Sequence, residues 1–364
     1  MSYGIGIYDG KGFLSLLDGW YPIAYKGTIN FTVQYNSAPD VNQYFDVPAG
    51  CFVVVQPAGP AVQHYASGSE YSGYVLGSYV NGGWVTIRQH LWYGFGNSPL
   101  IGTVVSFNVF AYYPNTDSSG TYGALLAGSG VSVALTNATT LNVLRWKGEW
   151  WTDSSDFTFS TGIWVGEQPP SVYISDTGYN CIASYVLNIG GYWHVRVIRR
   201  GGAYNNEGST YISQPPVMGL VRAAVFGSPP SGLPNYGLAL YGSTGAVAFR
   251  SDYRPEMPRG FLGSPSPSVS VPPGGGWWEI ADGNAQWIPN FGTIKPMIKA
   301  RMIGISKLSF LPFPVATRIK SNGLFTCGVL DKGPGRIPIG AVFGYWGENS
   351  ANSPIPYINE YDYF

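Results

Sequence analysis

The chain has 364 residues, a length that suits two or three domains. Aromatic residues make up 16% and charged residues only 11%, and 20 basic side chains balance 20 acidic ones. Nothing in this balance suggests the basic patch of a nucleic-acid-binding surface, and a hydrophobic content of 45% argues against a disordered chain. No apolar run approaches the ~18 residues of a membrane span, so no membrane-spanning segment is expected. The opening Met1-Ser2-Tyr3-Gly4 lacks the basic and apolar regions of a signal peptide. So low a charge content predicts that much of the surface is buried against partners.

Dense Gly and Pro punctuation between short Val, Ile, Thr, Tyr and Trp runs points to strands joined by turns. The first strands fall over 4–8 and 12–17, joined by Asp9-Gly10-Lys11-Gly12, whose glycines reach positive φ at little cost. Further strands are expected over 28–35, 50–56, 84–92 and 104–113. Turn formers at 114–120 then mark a linker. The opening Tyr3-Gly4-Ile5-Gly6-Ile7-Tyr8 returns as Tyr122-Gly123-Ala124-Leu125-Leu126 and again as Tyr236-Gly237-Leu238-Ala239-Leu240-Tyr241. The starts lie 119 and 114 residues apart, too long a period for a solenoid and suited to a small β domain. Three modules result, over 1–116, 121–228 and 235–364. The proline-stiffened stretch 228–234 separates the last two, and 263–273 is a Pro/Ser-rich bridge within the third. The aromatic segment Tyr357–Phe364 is expected to dock on a surface.

Other landmarks recur in order. Gly50-Cys51-Phe52-Val53 is matched with Gly162-Ile163-Trp164-Val165 and Gly276-Trp277-Trp278. Gly83-Trp84-Val85-Thr86-Ile87-Arg88 is matched with Gly191-Tyr192-Trp193-His194-Val195-Arg196 and, more loosely, Gly323-Leu324-Phe325. A closing strand ends on Val-Phe at Val109-Phe110, Val225-Phe226 and Val342-Phe343. Alternation places Val85 and Ile87 on a core face, with Trp193 and Val195 as their counterparts, and Arg88 and Arg196 outside. The fold class is therefore all-β: three tandem β-sandwich modules, immunoglobulin-like or related.

Chemistry is sparse. His64, His90 and His194 have no partners at ligand spacing, so no metal or cofactor is expected. Cys51, Cys181 and Cys327 do not form a disulfide framework and suit buried thiols in a reducing compartment. The acidic residues cluster in turns, where they support local hydrogen bonds. Arg196–Arg200 is expected to be a charged strand end. Aromatic clusters remain: Trp146, Trp150 and Trp151, Trp277 and Trp278, and nearby Trp287. They serve either as packing in cores and subunit interfaces or as stacking platforms for a glycan or protein ligand.

The openings Tyr3-Gly4…Tyr8-Asp9-Gly10 and Tyr236-Gly237-Leu238-Ala239-Leu240-Tyr241…Phe249-Arg250-Ser251-Asp252 resemble a family of tailed-bacteriophage tail-tip and baseplate proteins that carry a Tyr-Gly β-hairpin. The resemblance covers only the start of each module and carries no catalytic signature. It implies a non-enzymatic virion tail protein, assembled in the bacterial cytoplasm alongside other tail proteins or a trimeric fibre or hub. The alternative is an adhesion protein that binds a host receptor or glycan at the distal tail. A tail-associated glycan hydrolase, which would need two facing carboxylates, is a more remote third.

Overall fold

The computed structural model describes residues 23–35, 39–47, 50–59, 61–67, 70–92, 101–112, 123–128, 131–136, 142–201, 204–207, 210–213, 215–231, 239–241, 247–250, 252–263, 268–270, 277–281, 286–308, 311–329 and 354–364. In chain order the first part holds β1 (Ile23–Thr32), β2 (Val41–Tyr44), β3 (Phe52–Ala58), β4 (Val62–Ser67), β5 (Glu70–Asn81), β6 (Trp84–Trp92) and β7 (Val104–Tyr112). A hairpin comes next, β8 (Gly123–Gly128) and β9 (Val131–Thr136). The second part holds β10 (Val143–Thr152), β11 (Asp156–Trp164), β12 (Ser171–Asp176), β13 (Cys181–Ile189), β14 (Tyr192–Arg200), the hairpin β15 (Tyr204–Glu207) and β16 (Thr210–Ser213), and β17 (Gly219–Gly227). Another hairpin, β18 (Ala239–Tyr241) and β19 (Val247–Arg250), leads into the third part. That part begins with β20 (Gly260–Leu262), β21 (Ser268–Ser270), β22 (Trp277–Ala281), β23 (Gln286–Trp287) and β24 (Pro296–Ile298). The last strands are β25 (Met302–Leu308), β26 (Leu311–Ile319), β27 (Leu324–Val329) and β28 (Ile355–Asn359), then a 3-10 turn at Glu360–Asp362.

The repetition seen in the sequence returns as topology. In the first part β1-β7-β3 form one sheet and β2-β6-β5-β4 another. In the second, β10-β17-β12 and β11-β14-β13 stand in the same two orders. In the third, β20-β28-β24 and β23-β27-β26 do so again, with β25 beside β26 as β4 lies beside β5. Ladder irregularities recur too, between Tyr25 and Gly27 on β1 and between Leu144 and Trp146 on β10. Gly27 has a φ of 144°, and a Cβ there would lie 3.2 Å from the Phe45 ring, so the bend needs glycine. The Tyr-Gly motif does form hairpins at β8–β9 and β18–β19, each a separate two-stranded sheet. Its first copy lies outside the described residues.

The second and third parts share their sheets. β12 pairs β24 at Ile174 and Ile298, and β13 pairs β26 at Cys181–Arg318 and Ile182–Thr317. The result is a six-stranded and a seven-stranded sheet facing each other across one core that includes Val172, Val195, Val225, Ile298, Phe325 and Ile355. The first part has its own core between its two sheets, including Phe31, Val55, Val85, Ile87 and Phe107. Fully burying each such side chain stabilises by roughly 1.5–3 kcal/mol. Sequence alternation anticipated this face: Val85, Ile87, Val195 and Val197 are all fully buried.

Some landmark matches need correction. Gly50–Val53 opens β3, the third strand of its part, whereas Gly162–Trp164 ends β11, the second. Gly276 lies outside the described residues, and Trp277 and Trp278 sit on β22, which pairs with β15 and β21 in a side sheet. Similar composition joined strands that are not equivalent, because Gly followed by bulky residues suits any strand end. Residues 339–343, expected to close the third module, lie outside the described residues. The strand in the position of β7 and β17 is β28, drawn from the aromatic tail. The tail, expected to dock on a surface, is instead built into the fold: β28 pairs with β20 and β24, and Tyr363 packs against Tyr173, Phe226 and Ile358.

Candidate functional site

The six aromatic candidates do not gather into one site. Trp146 and Trp150 lie on the inner face of β10, half-buried against the core. Trp146 stacks on Phe159 with centroids 4.7 Å apart, and Trp150 lies 4.9 Å from Phe159 and 5.2 Å from Phe157. These four rings close the open edge of the core, where β10 and β11 border the two sheets. Gly148 makes room for them, because a Cβ there would sit 2.3 Å from the Trp146 ring. Trp151 falls on the opposite face by strand alternation and is 72% exposed. Trp287, opposite Leu324, is 64% exposed. The side chains of Trp277 and Trp278 lie outside the described part of the chain; their backbone pairs with Asn205 and Tyr204.

The densest polar constellation was not anticipated, and it lies where the three parts meet. Glu256, buried, accepts hydrogen bonds from Asn142 Nδ2 (2.9 Å), Ser171 Oγ (2.7 Å) and Tyr173 OH (2.7 Å), with a longer one from Tyr112 OH (3.4 Å). Lys299 Nζ donates to Tyr112 OH at 2.9 Å and lies 4.2 Å from the centroid of the Phe110 ring. Tyr112 comes from β7, Tyr173 from β12, and Lys299 lies just after β24. Burial, reinforced by the Glu256 charge, holds the phenols of Tyr112 and Tyr173 well above their usual range. Burial pushes Lys299 down to about 8, while Glu256 pulls the other way. The carboxylate's lone pairs are filled by protein donors, so this cluster orients strands and offers no base to an outside molecule.

A second buried pair corrects the reading of 196–200 as a charged strand end. Arg196 does lie outside, in a bidentate pair with Asp156. Arg199, however, is fully buried, and all five of its guanidinium N–H groups are used. Its Nε and Nη2 donate to the Asp176 carboxylate at 2.8 and 3.1 Å. Its Nη1 donates to Thr152 O and Ser154 O, and Nη2 also donates to Val217 O. A signal was present in the sequence: Val195, Val197 and Arg199 share the core face, and an arginine in that register requires an internal acid. The tail is fixed in a similar way. Buried Glu360 accepts from Ser175 Oγ at 2.5 Å and pairs with Lys295 (2.6 Å) and Arg222.

A cavity of about 80 Å³ lies at the seam of the second and third parts, beside Asp176, Thr177, Tyr179, Phe291 and Lys295. Its volume suits a few water molecules and is too small for a sugar ring. Among the described residues no group of three or more His, Cys, Asp or Glu could hold a metal ion, and no helix is long and apolar enough to cross a membrane. Cys181 is a free thiol, and burial pushes it up to about 12. The Cys327, His64 and His90 side chains lie outside the described part. No protein-family model, curated protein or solved structure matches this chain.

Proposed function

We propose that the chain is a structural component of a bacteriophage virion, in the tail tip, baseplate or tail-fibre complex, built from three tandem β units over 1–116, 121–228 and 235–364, the last two closing over one shared core. The observation that carries this reading is the threefold strand order, tied together at one buried network to which each part contributes. Such a chain is a rigid scaffold that presents related surfaces at fixed spacing, which raises avidity for a repetitive partner. The partners are other tail proteins or a trimeric hub, met during assembly in the host cytoplasm. The two described Tyr-Gly hairpins, β8–β9 and β18–β19, stand outside the main sheets and are suited to pair with neighbouring subunits. Mass spectrometry of purified particles and co-sedimentation of the chain with tails test this. A chain absent from particles, and never bound to tails, overturns it.

A second reading, adhesion to a host receptor or glycan, is supported by the exposure of Trp151 and Trp287. Particles carrying Trp151→Ala or Trp287→Ala would then assemble normally and adsorb poorly. Unchanged adsorption for both counts against it.

A further inference from the structure

Aligning the three parts by strand order brings together residues that sequence alignment left apart. In each part a strand begins just after a turn glycine, and its first residue faces an aromatic on the neighbouring strand. The pairs are Tyr44–Trp84, Trp164–Tyr192 and Trp287–Leu324. The turns correspond: Gly82-Gly83, Gly190-Gly191 and the turn ending at Gly323, with φ of 58° at Gly82, 60° at Gly190 and 85° at Gly323. Tyr44, Trp84, Trp164 and Trp287 are each more than half exposed. Four tryptophans are exposed among the described residues, and three of them occupy this position, one per part. A cross-strand aromatic pair stabilises a strand end modestly. That accounts for the contact between Tyr44 and Trp84, whose ring centroids lie 5.3 Å apart, but not for the polar groups farther along the same face.

In the first two parts the aromatic rung heads a polar ladder. The next rung on the outer face is Asn42–Thr86 in one and Ser160–His194 in the other. Beyond it comes a bidentate arginine–aspartate pair, Arg88 with Asp40 and Arg196 with Asp156. Same-face rungs are ~6.7 Å apart, so the ladder runs ~13 Å from ring to ion pair. Each arginine also meets a tyrosine of the hairpin partner: Arg88 lies over Tyr79, and Arg196 is opposite Tyr185. Among the described residues of the third part, only the Trp287 rung is present.

We propose that the outer faces of β2-β6-β5 and of β11-β14 are paired carbohydrate-binding platforms for a neutral polysaccharide. This rests on the adhesion reading and moves its site to a different set of residues. Exposed rings at the strand end offer a flat apolar surface for the C–H faces of a sugar ring. The amide, hydroxyl and imidazole groups of the second rung, with the arginine–aspartate fork, offer planar donors and acceptors for hydroxyls along an extended chain. Within each ladder the arginine is matched by an aspartate, so the ladder itself carries no net charge and suits an uncharged glycan over a polyanion. A protein partner would call for a continuous apolar centre, whereas here the apolar area is one rung at the end of a polar face. Two platforms on one rigid chain engage successive segments of a polymer with avidity.

The test uses purified full-length chain in affinity electrophoresis and calorimetry. The probes are a β-glucan, an α-glucan, a galactomannan and a rhamnan, with hyaluronate and polyphosphate as anionic controls. At least one neutral polysaccharide should retard the wild type. Trp84→Ala and Trp164→Ala should each weaken binding about tenfold, and the double variant more. Arg88→Lys with Arg196→Lys keeps the charge, loses the fork and should also weaken binding. Near-ultraviolet circular dichroism and melting curves check that each variant folds. Retention by polyanions alone, or no retention at all, overturns both the platforms and the adhesion reading. Binding that survives the double tryptophan change overturns the platforms and leaves adhesion standing. Self-association of the wild type that this double change abolishes also overturns the proposal, because the rungs would then be a contact between copies.

Discussion

Replacing Arg199 with methionine removes the cation of a fully buried pair while keeping most of its volume. Asp176 then retains only the Gly178 N–H and Asn180 Nδ2, each at 2.8 Å. Breaking a buried pair from one side typically costs ~3–5 kcal/mol, because a charge is left in a poor solvent. Two features place this case near the lower end. Of the three carbonyls that lose an arginine donor, Val217 O keeps Asn180 Nδ2, and Ser154 belongs to an exposed residue and can regain water. The adjoining cavity, which Asp176 lines, can admit water to the stranded carboxylate. A loss of ~3 kcal/mol, spread over two parts that share their sheets, lowers the melting temperature by about 6–12 °C. Differential scanning calorimetry reads this directly. The double variant Arg199→Met with Asp176→Asn removes both charges and leaves an acceptor for Gly178, so it should recover at least half of the loss. A single variant within ~1 kcal/mol of wild type, or a double variant no better than the single, refutes the reasoning.

Three further outcomes are expected. Lys299 is held down to about 8 in the folded chain, against an ordinary lysine value of 10.5. Between those values the unfolded chain binds the extra proton, so this group's contribution to stability rises as pH rises. Relative to Lys299→Met, wild type should therefore gain ~2 kcal/mol between pH 7.5 and 9.5 in denaturant titrations; a flat difference would contradict the burial of the amine. Trp150→Ala should cost ~2–4 kcal/mol, because Trp150 closes the core edge, whereas Trp151→Ala should change stability by less than ~0.5 kcal/mol; equal effects would show that the two faces of β10 are assigned wrongly. Gly83→Ala would place a Cβ 2.3 Å from Phe45 O and 2.9 Å from the Tyr44 ring, so it should destabilise the first part by more than ~1 kcal/mol. Melting curves unchanged by that substitution would mean that β2 yields freely.

Much of the strand pattern was legible because alternation is local. The core face of β6 and the two described hairpins after the Tyr-Gly motif follow from residue type and spacing alone. Strand equivalence was legible only in part. The glycine turns at 82–83, 190–191 and 323 were matched correctly, since positive φ narrows the choice of residue. The bulky strand starts were mismatched, since a Gly followed by aromatics fits several strands. The glycan candidates Trp146 and Trp150 read the same as Trp151 in sequence, and only their positions around the core separate packed rings from exposed ones.

The buried charges mark the boundary most clearly. Sequence by itself determined an all-β chain with a recurring unit, low charge and alternating faces, because those properties depend on neighbours one or two residues apart. Tertiary structure decided that the second and third units share both sheets. It also decided that Glu256, Tyr112 and Lys299, separated by up to 187 residues, meet in one network. Pairings of that kind depend on which strands become neighbours, and the free energy that selects them arises only when distant apolar faces close over the same core.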